Sequence, residues 1–177
     1  MSEMKKVVLY SSKTGFSEQY ARWIAEELQC EALSMEKRNL SEFSSYDVII
    51  FGGGIYAGQI RGLKKIKQNL EQWKGKQVIV FATGAAPAIP EEIAKVKQAN
   101  ISETPNLTFF YFQSGINYEK MGGFDRFLMK MFNAMIKRQK NVTEAEQNMA
   151  KAIEKSYNHS KREWIEPLVR HVQLLKS

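Results

Sequence analysis

Cysteine is nearly missing from this chain. Cys30 stands alone among 177 residues, which excludes an internal disulfide and a cysteine-rich zinc site and suits a reducing compartment. Histidine is almost as scarce: His159 and His171 are the two in the chain, and neither lies in a metal-ligand spacing. No apolar run approaches the roughly twenty residues of a membrane span; the longest, 7–10 and 78–82, are strand-sized. Lys5 and Lys6 are followed by four apolar residues before Ser11, too few for the core of a signal peptide, so a cytoplasmic protein is expected. Acidic residues are outnumbered, 19 against 26 Lys and Arg, giving a net charge of +7. That balance suits a polyanionic small molecule, an anionic membrane surface or nucleic acid. With no helix-turn-helix, zinc-finger or RNA-stacking motif, nucleic acid is not expected.

What the chain does have is an ordinary globular balance, 44% apolar and 25% charged residues, at a length suited to one domain over 1–177. A short, wholly apolar run at 7–10 and further strand-sized, largely apolar segments at 30–35, 46–51, 77–82 and 107–112 recur along the chain. Between them lie segments with apolar residues at helical spacing, over 17–29, 63–73 and 89–99, the last with Pro90, Glu91 and Glu92 in its first turn. Strands alternating with helices predict a three-layer α/β sandwich around a doubly wound, five-stranded parallel sheet. After the fifth strand the rhythm breaks. Helices are expected over 124–139, over 143–157 behind a Thr143/Glu146 capping box, and from Ser160, with Glu163 completing a second box, to Leu175. Pro167 predicts a kink or a late start in the last. One closing helix would suffice, so about 113–158 reads as a helical insertion after strand five.

Ligands of open α/β sheets sit beyond the carboxyl ends of the strands. The first such loop reads Ser11-Ser12-Lys13-Thr14-Gly15-Phe16-Ser17. It offers hydroxyls at Ser12, Thr14 and Ser17, a glycine for close approach, and the positive end of the following helix, a combination that points to a phosphate. A response-regulator receiver would need acids where Ser11 and Ser12 stand. A dinucleotide fold would need its glycine motif in this first turn, whereas Gly52-Gly53-Gly54 follows the third strand.

Residues 12–17 resemble the phosphate loop of the flavodoxin family, Thr/Ser-x-Thr-Gly-x-Thr, with Ser17 in place of the final threonine. The resemblance implies FMN as cofactor, its phosphate held by the Ser12, Thr14 and Ser17 hydroxyls and by backbone N–H groups of Lys13, Thr14, Gly15 and Phe16. The ring would then lie between two further loops: Gly54, Ile55, Tyr56 and Ala57, with Tyr56 as a stacking wall, and Thr83, Gly84, Ala85 and Ala86. The last loop lacks the aromatic that flavodoxin carriers often place there, which would leave one ring face open to a substrate.

Residues 120–140 hold six cations and one acid, a balance of +5, along a stripe of Phe, Leu and Met. Ile116-Asn117-Tyr118 and Phe124-Asp125-Arg126-Phe127-Leu128-Met129-Lys130 are similar to a segment of menaquinone-dependent protoporphyrinogen IX dehydrogenases, flavodoxin-like enzymes with an insertion after strand five. This resemblance implies an FMN-dependent oxidoreductase that oxidises protoporphyrinogen IX with a quinone as acceptor. Arg126 and Lys130 would contact substrate carboxylates or a membrane, at whose inner face the protein would sit peripherally. A flavodoxin-type electron-transfer protein, exchanging electrons with a redox protein and lacking its own organic substrate, is the alternative.

Overall fold

An apolar run without polar alternation is accommodated where both faces of a strand are covered, and the runs of this chain lie in such places. The computed structural model describes residues 3–175. Its strands are β1 (Lys6–Ser11), β2 (Glu31–Ser34), β3 (Val48–Tyr56), β4 (Gln59–Ile60), β5 (Gln77–Gly84) and β6 (Thr108–Gln113). Five of them form a parallel sheet in the order β2-β1-β3-β5-β6, while β4 folds back antiparallel on the end of β3. Helices α1 (Phe16–Leu28), α2 (Leu63–Asn69) and α3 (Pro90–Asn100) make three of the crossovers, and a 3-10 helix (Leu40–Ser45) makes the one from β2 to β3.

Alternate residues feed two cores. Val7, Leu9, Ile49, Phe51 and Val80 pack toward Leu63, Ile66, Trp73 and Ile101. Val8, Tyr10, Ile50, Ile79 and Phe81 pack toward Tyr20, Ile24 and Leu28 of α1 and toward Leu168 and Val172 near the carboxyl end. The doubly wound sandwich expected from the sequence is the fold observed.

The third strand departs from expectation. Its glycines, read as a loop, continue the strand to Tyr56, pairing with β5 from Gly52 opposite Phe81 to Gly54 opposite Thr83. Two of them, Gly52 and Gly53, are required by space. A Cβ on Gly52 would fall 1.9 Å from Phe81 Cζ, and one on Gly53 would fall 2.3 Å from the Arg61 carbonyl oxygen. Strand β5 likewise runs on through Thr83 and Gly84. The second helix ends at Asn69 and reaches Trp73 only as turns.

Beyond β6 the chain forms β7 (Gly115–Ile116), a 3-10 turn (Tyr118–Lys120), α4 (Gly123–Arg138), α5 (Glu144–Ala152) and β8 (Tyr157–Asn158). β7 and β8 pair antiparallel, Gly115 opposite Asn158, so the inserted segment returns to the point where it left. The Thr143/Glu146 capping box forms, with Thr143 N–H donating to Glu146 Oε2 at 2.8 Å and Glu146 N–H to Thr143 Oγ1 at 3.3 Å. The second expected box, at Ser160 and Glu163, does not form. A 3-10 turn (Arg162–Ile165) intervenes, and α6 (Glu166–Gln173) starts late with Pro167 in its first turn, where the missing N–H leaves no bond unmade. Arg162 instead ties this end of the chain to α1, at 2.7 Å from Glu26 and 2.8 Å from Glu27.

Gly52→Ala is expected to destabilise the fold by about 1–3 kcal/mol through overpacking against Phe81. Urea denaturation checks this, and a midpoint equal to that of the parent would contradict the packing account.

Candidate functional site

β1 delivers the chain to the carboxyl edge of the sheet, and α1 leaves from there. Between them Gly15 caps α1 with φ +96°, a conformation that a side chain would strain. The Ser12 hydroxyl accepts from Gly15 N–H at 3.1 Å and folds the loop on itself. A glycine cap has no side chain to bond the N–H groups of the helix's first turn, so these point outward at the positive end of the helix dipole. Lys120, from the turn before α4, adds an ammonium 3.1 Å from the place a Gly15 Cβ would occupy. Asn117 Nδ2 donates to the Thr14 carbonyl at 3.5 Å. A hollow of about 520 Å³ is lined by Thr14, Gly15, Phe16, Asn117 and Lys120 and, along α1, by Glu18, Arg22 and Glu26. Donors, dipole and cation together make this loop a cradle for an anion.

Residues assigned to separate loops meet here. Ser17 is buried, and its hydroxyl lies 2.8 Å from that of Thr83. A Cβ on Gly54 would lie 3.6 Å from Ser17 Oγ and 3.8 Å from Thr83 Oγ1. Ser17 thus joins α1 to the end of β5. Ile55 comes within 3.3 Å of the equivalent position on Gly84. Ala57 and Gly58, at φ 48° and 78°, form the two-residue turn between β3 and β4 and set Tyr56 at its shoulder.

Tyr56 is 42% exposed, and three groups surround its ring and hydroxyl. Its O–H donates to Asp125 Oδ1 at 3.1 Å. The Arg61 guanidinium and the Lys13 ammonium lie 5.4 Å and 5.8 Å from the ring centroid, within cation–π range. Lys13 forms an ion pair with Asp125 through the other carboxylate oxygen. The bonded Lys13 ammonium holds the Asp125 carboxyl below its usual range; burial opposes this, and the Tyr56 hydroxyl assists it. Asp125 belongs to the first turn of α4, so the insertion is anchored to both the anion cradle and the ring-side turn.

The third loop is fixed from below. The Tyr111 hydroxyl donates to the Ala86 carbonyl at 2.7 Å, and that of Tyr157 reaches the Ala85 carbonyl at 3.5 Å. Burial raises both phenols, which keeps them donors. Tyr111 and Tyr157 thus brace the backbone of this loop from β6 and β8.

Arg126 is already engaged: its guanidinium donates to the carbonyls of Tyr118 at 2.6 Å and Glu119 at 3.1 Å, bracing the turn before α4. Lys130 is exposed and, among the described residues, forms no ion pair. Cys30 lies at the start of β2, its thiol pushed up to about 11 by burial, which leaves it protonated and unreactive near neutrality. Asp125, Asn117, Lys120, Arg61, Tyr111 and Tyr157 were not among the predicted site residues. Asp125 stood inside the quoted 124–130 stretch, and its lone acid among cations was the available signal.

A family model described as a flavodoxin domain matches residues 7–143. No curated protein matches the chain. Among solved structures, oxidised Flavodoxin 2 from Bacillus cereus is 22% identical, with a TM-score of 0.46 over 62% of this chain and 84% of that one. A flavodoxin, WrbA-like protein from Agrobacterium tumefaciens is 15% identical, with a TM-score of 0.46 over 82% and 99%. A flavoprotein in complex with FMN from Lactobacillus acidophilus is 17% identical, with a TM-score of 0.40 over 63% and 93%.

Asp125→Asn is expected to loosen α4. Because Lys13 is half exposed, the cost is about 1 kcal/mol or less, read as faster amide exchange along α4 with the sheet unchanged. A carboxyl with a lowered pKa contributes fully above its ordinary value, about 4, and loses that contribution as pH falls through the lowered one. The parent should therefore release α4 in acid, whereas the variant should already be loose at neutral pH. Identical exchange in the two proteins at neutral pH would remove Asp125 from this role.

Proposed function

The chain belongs to the flavodoxin domain family, and from that premise we propose that it is an FMN-dependent oxidoreductase with an organic substrate of its own. The observation that carries the redox reading is the cradle itself: a short hydroxyl-bearing loop, closed by Ser12 and Gly15, at the positive end of α1 and beside Thr83 and Tyr56. These residues fit FMN. The first-turn N–H groups of α1, the Thr14 hydroxyl and Lys120 suit its phosphate. Tyr56 and the Thr83–Ala86 backbone suit the two sides of a flat ring. The bound flavin supplies two-electron chemistry, and the chain supplies binding, orientation and electrostatics.

The substrate is the finer part of the proposal. Protoporphyrinogen IX carries two propionates and a broad apolar macrocycle. The 124–130 stretch that resembles the protoporphyrinogen dehydrogenases forms the start of α4, whose Asp125 touches the cradle and Tyr56. Lys130 is a cation of that stretch with no ion pair among the described residues. Arg126, spent on two carbonyls, keeps the turn in place and so positions Asn117 and Lys120. In each turnover the substrate loses two electrons and two protons, and a quinone takes up both and leaves as the quinol. An electron carrier is the second reading. It is favoured by Asp125, the carboxylate bonded to Tyr56, being kept ionised by Lys13, which leaves it a poor proton acceptor.

The visible spectrum of the protein as purified and an FMN titration test the cofactor. Thr14→Glu should weaken FMN binding at least tenfold by placing a carboxylate against the phosphate; unchanged affinity would remove the loop from the site. Anaerobic mixing with protoporphyrinogen IX should bleach the flavin band, and a menaquinone analogue should restore it. An FMN-loaded protein that stays oxidised in this assay rejects protoporphyrinogen IX as its substrate.

A further inference from the structure

The apolar stripe of α4 does not cover the core. Phe124, Phe127, Met131 and Met135 are 69%, 56%, 55% and 54% exposed, and Leu128 and Phe132 add to the same stripe. The side of α4 turned toward the body holds instead Asp125, Met129, Asn133 and Ile136. A helix of a globular domain ordinarily buries its apolar stripe, and single exposed hydrophobics are common whereas a contiguous row of them is not.

We propose that the outward face of α4 docks on an anionic lipid surface, with Phe124, Phe127, Leu128, Met131 and Met135 entering the headgroup boundary and Lys130 and Arg138 meeting lipid phosphates. Charge selects this occupant. The stretch 120–140 carries +5, and its sole acid, Asp125, is turned inward onto Lys13. Lys137 is paired with Glu154, while Lys130 and Arg138 remain at the rim. A second copy would meet this patch through the same patch and set like charges against each other. Nucleic acid would satisfy the cations and leave the Phe and Met side chains in water. A bilayer with acidic lipids answers both: apolar side chains enter the interface while Lys and Arg stems extend to its phosphates. Docking in this way sets the Tyr56–Asp125 contact about one helix diameter, roughly 10 Å, from the lipid, within reach of a reactant dissolved there. No helix among the described residues is long and apolar enough to cross a membrane, so the contact is one of surface seating. The proposal does not rest on the FMN reading.

The test is flotation of the full chain with phosphatidylcholine vesicles, with and without phosphatidylglycerol. Binding is expected with phosphatidylglycerol and should fall as salt rises. Lys130→Gln with Arg138→Gln should weaken it roughly fivefold per charge removed. Phe127→Ser with Met131→Ser should weaken it at least tenfold. Circular dichroism reports whether each variant keeps the fold. Absence of binding to phosphatidylglycerol vesicles at low salt overturns the proposal, as does binding indifferent to both substitution pairs in folded protein. Self-association through this face, or binding to an oligonucleotide but not to vesicles, also overturns it by naming a different occupant.

Discussion

Residues 7–9, 48–51 and 79–82 lie at or near zero exposure, covered on both faces of the sheet. Strands so enclosed can present chemistry to solvent only at their ends. All five run the same way, so their carboxyl ends share one edge, and helix α1 brings the positive end of its dipole to that edge. The anion cradle, the Tyr56 turn and the third loop are neighbours for this reason, although Ser12, Tyr56 and Ala86 are far apart in the chain. Core packing thus positions the site without any dedicated scaffold.

Close backbone packing at the edge serves the same end. With Gly52 flat against Phe81 and Gly53 against the Arg61 carbonyl, β3 extends beyond its apolar run and carries Tyr56 out to the rim. The Ser17–Thr83 hydroxyl pair then locks α1 to β5 in the gap beside Gly54. Two polar groups that would be costly if buried alone satisfy each other at the junction of three elements.

The sandwich was legible in the sequence because an unbroken apolar run has few solutions other than a buried parallel strand, and helical spacing separates one run from the next. The phosphate loop was legible because its residue types sit directly after the first strand. The extent of β3 was not: three glycines read as a turn, and only the partner atoms at Phe81 and Arg61 show why they belong to the sheet. The Ser17–Thr83 hydroxyl contact spans 66 positions, and no local pattern encodes it. The start of α6 followed Pro167 rather than the Ser160/Glu163 signature, since the Arg162 bridges to Glu26 and Glu27 draw this segment onto α1 first. Asp125 was visible as an odd acid in a basic helix, but its partners, Lys13 and Tyr56, come from the other end of the chain.

The β7–β8 clasp closes the insertion at its base, with Gly115 directly opposite Asn158. A segment whose two ends are already joined can lengthen, shrink or be exchanged without shifting any strand of the sheet. Here it is tethered to the sheet's carboxyl edge chiefly by Asp125, by Asn117 and Lys120 at the loop, and by Tyr157 beneath Ala85. Because Asn117 and Lys120 also border the phosphate-side loop and Asp125 holds Lys13, a change in the insertion reaches the cradle as well as the outer face of α4. On this architecture the two surfaces are inherited together.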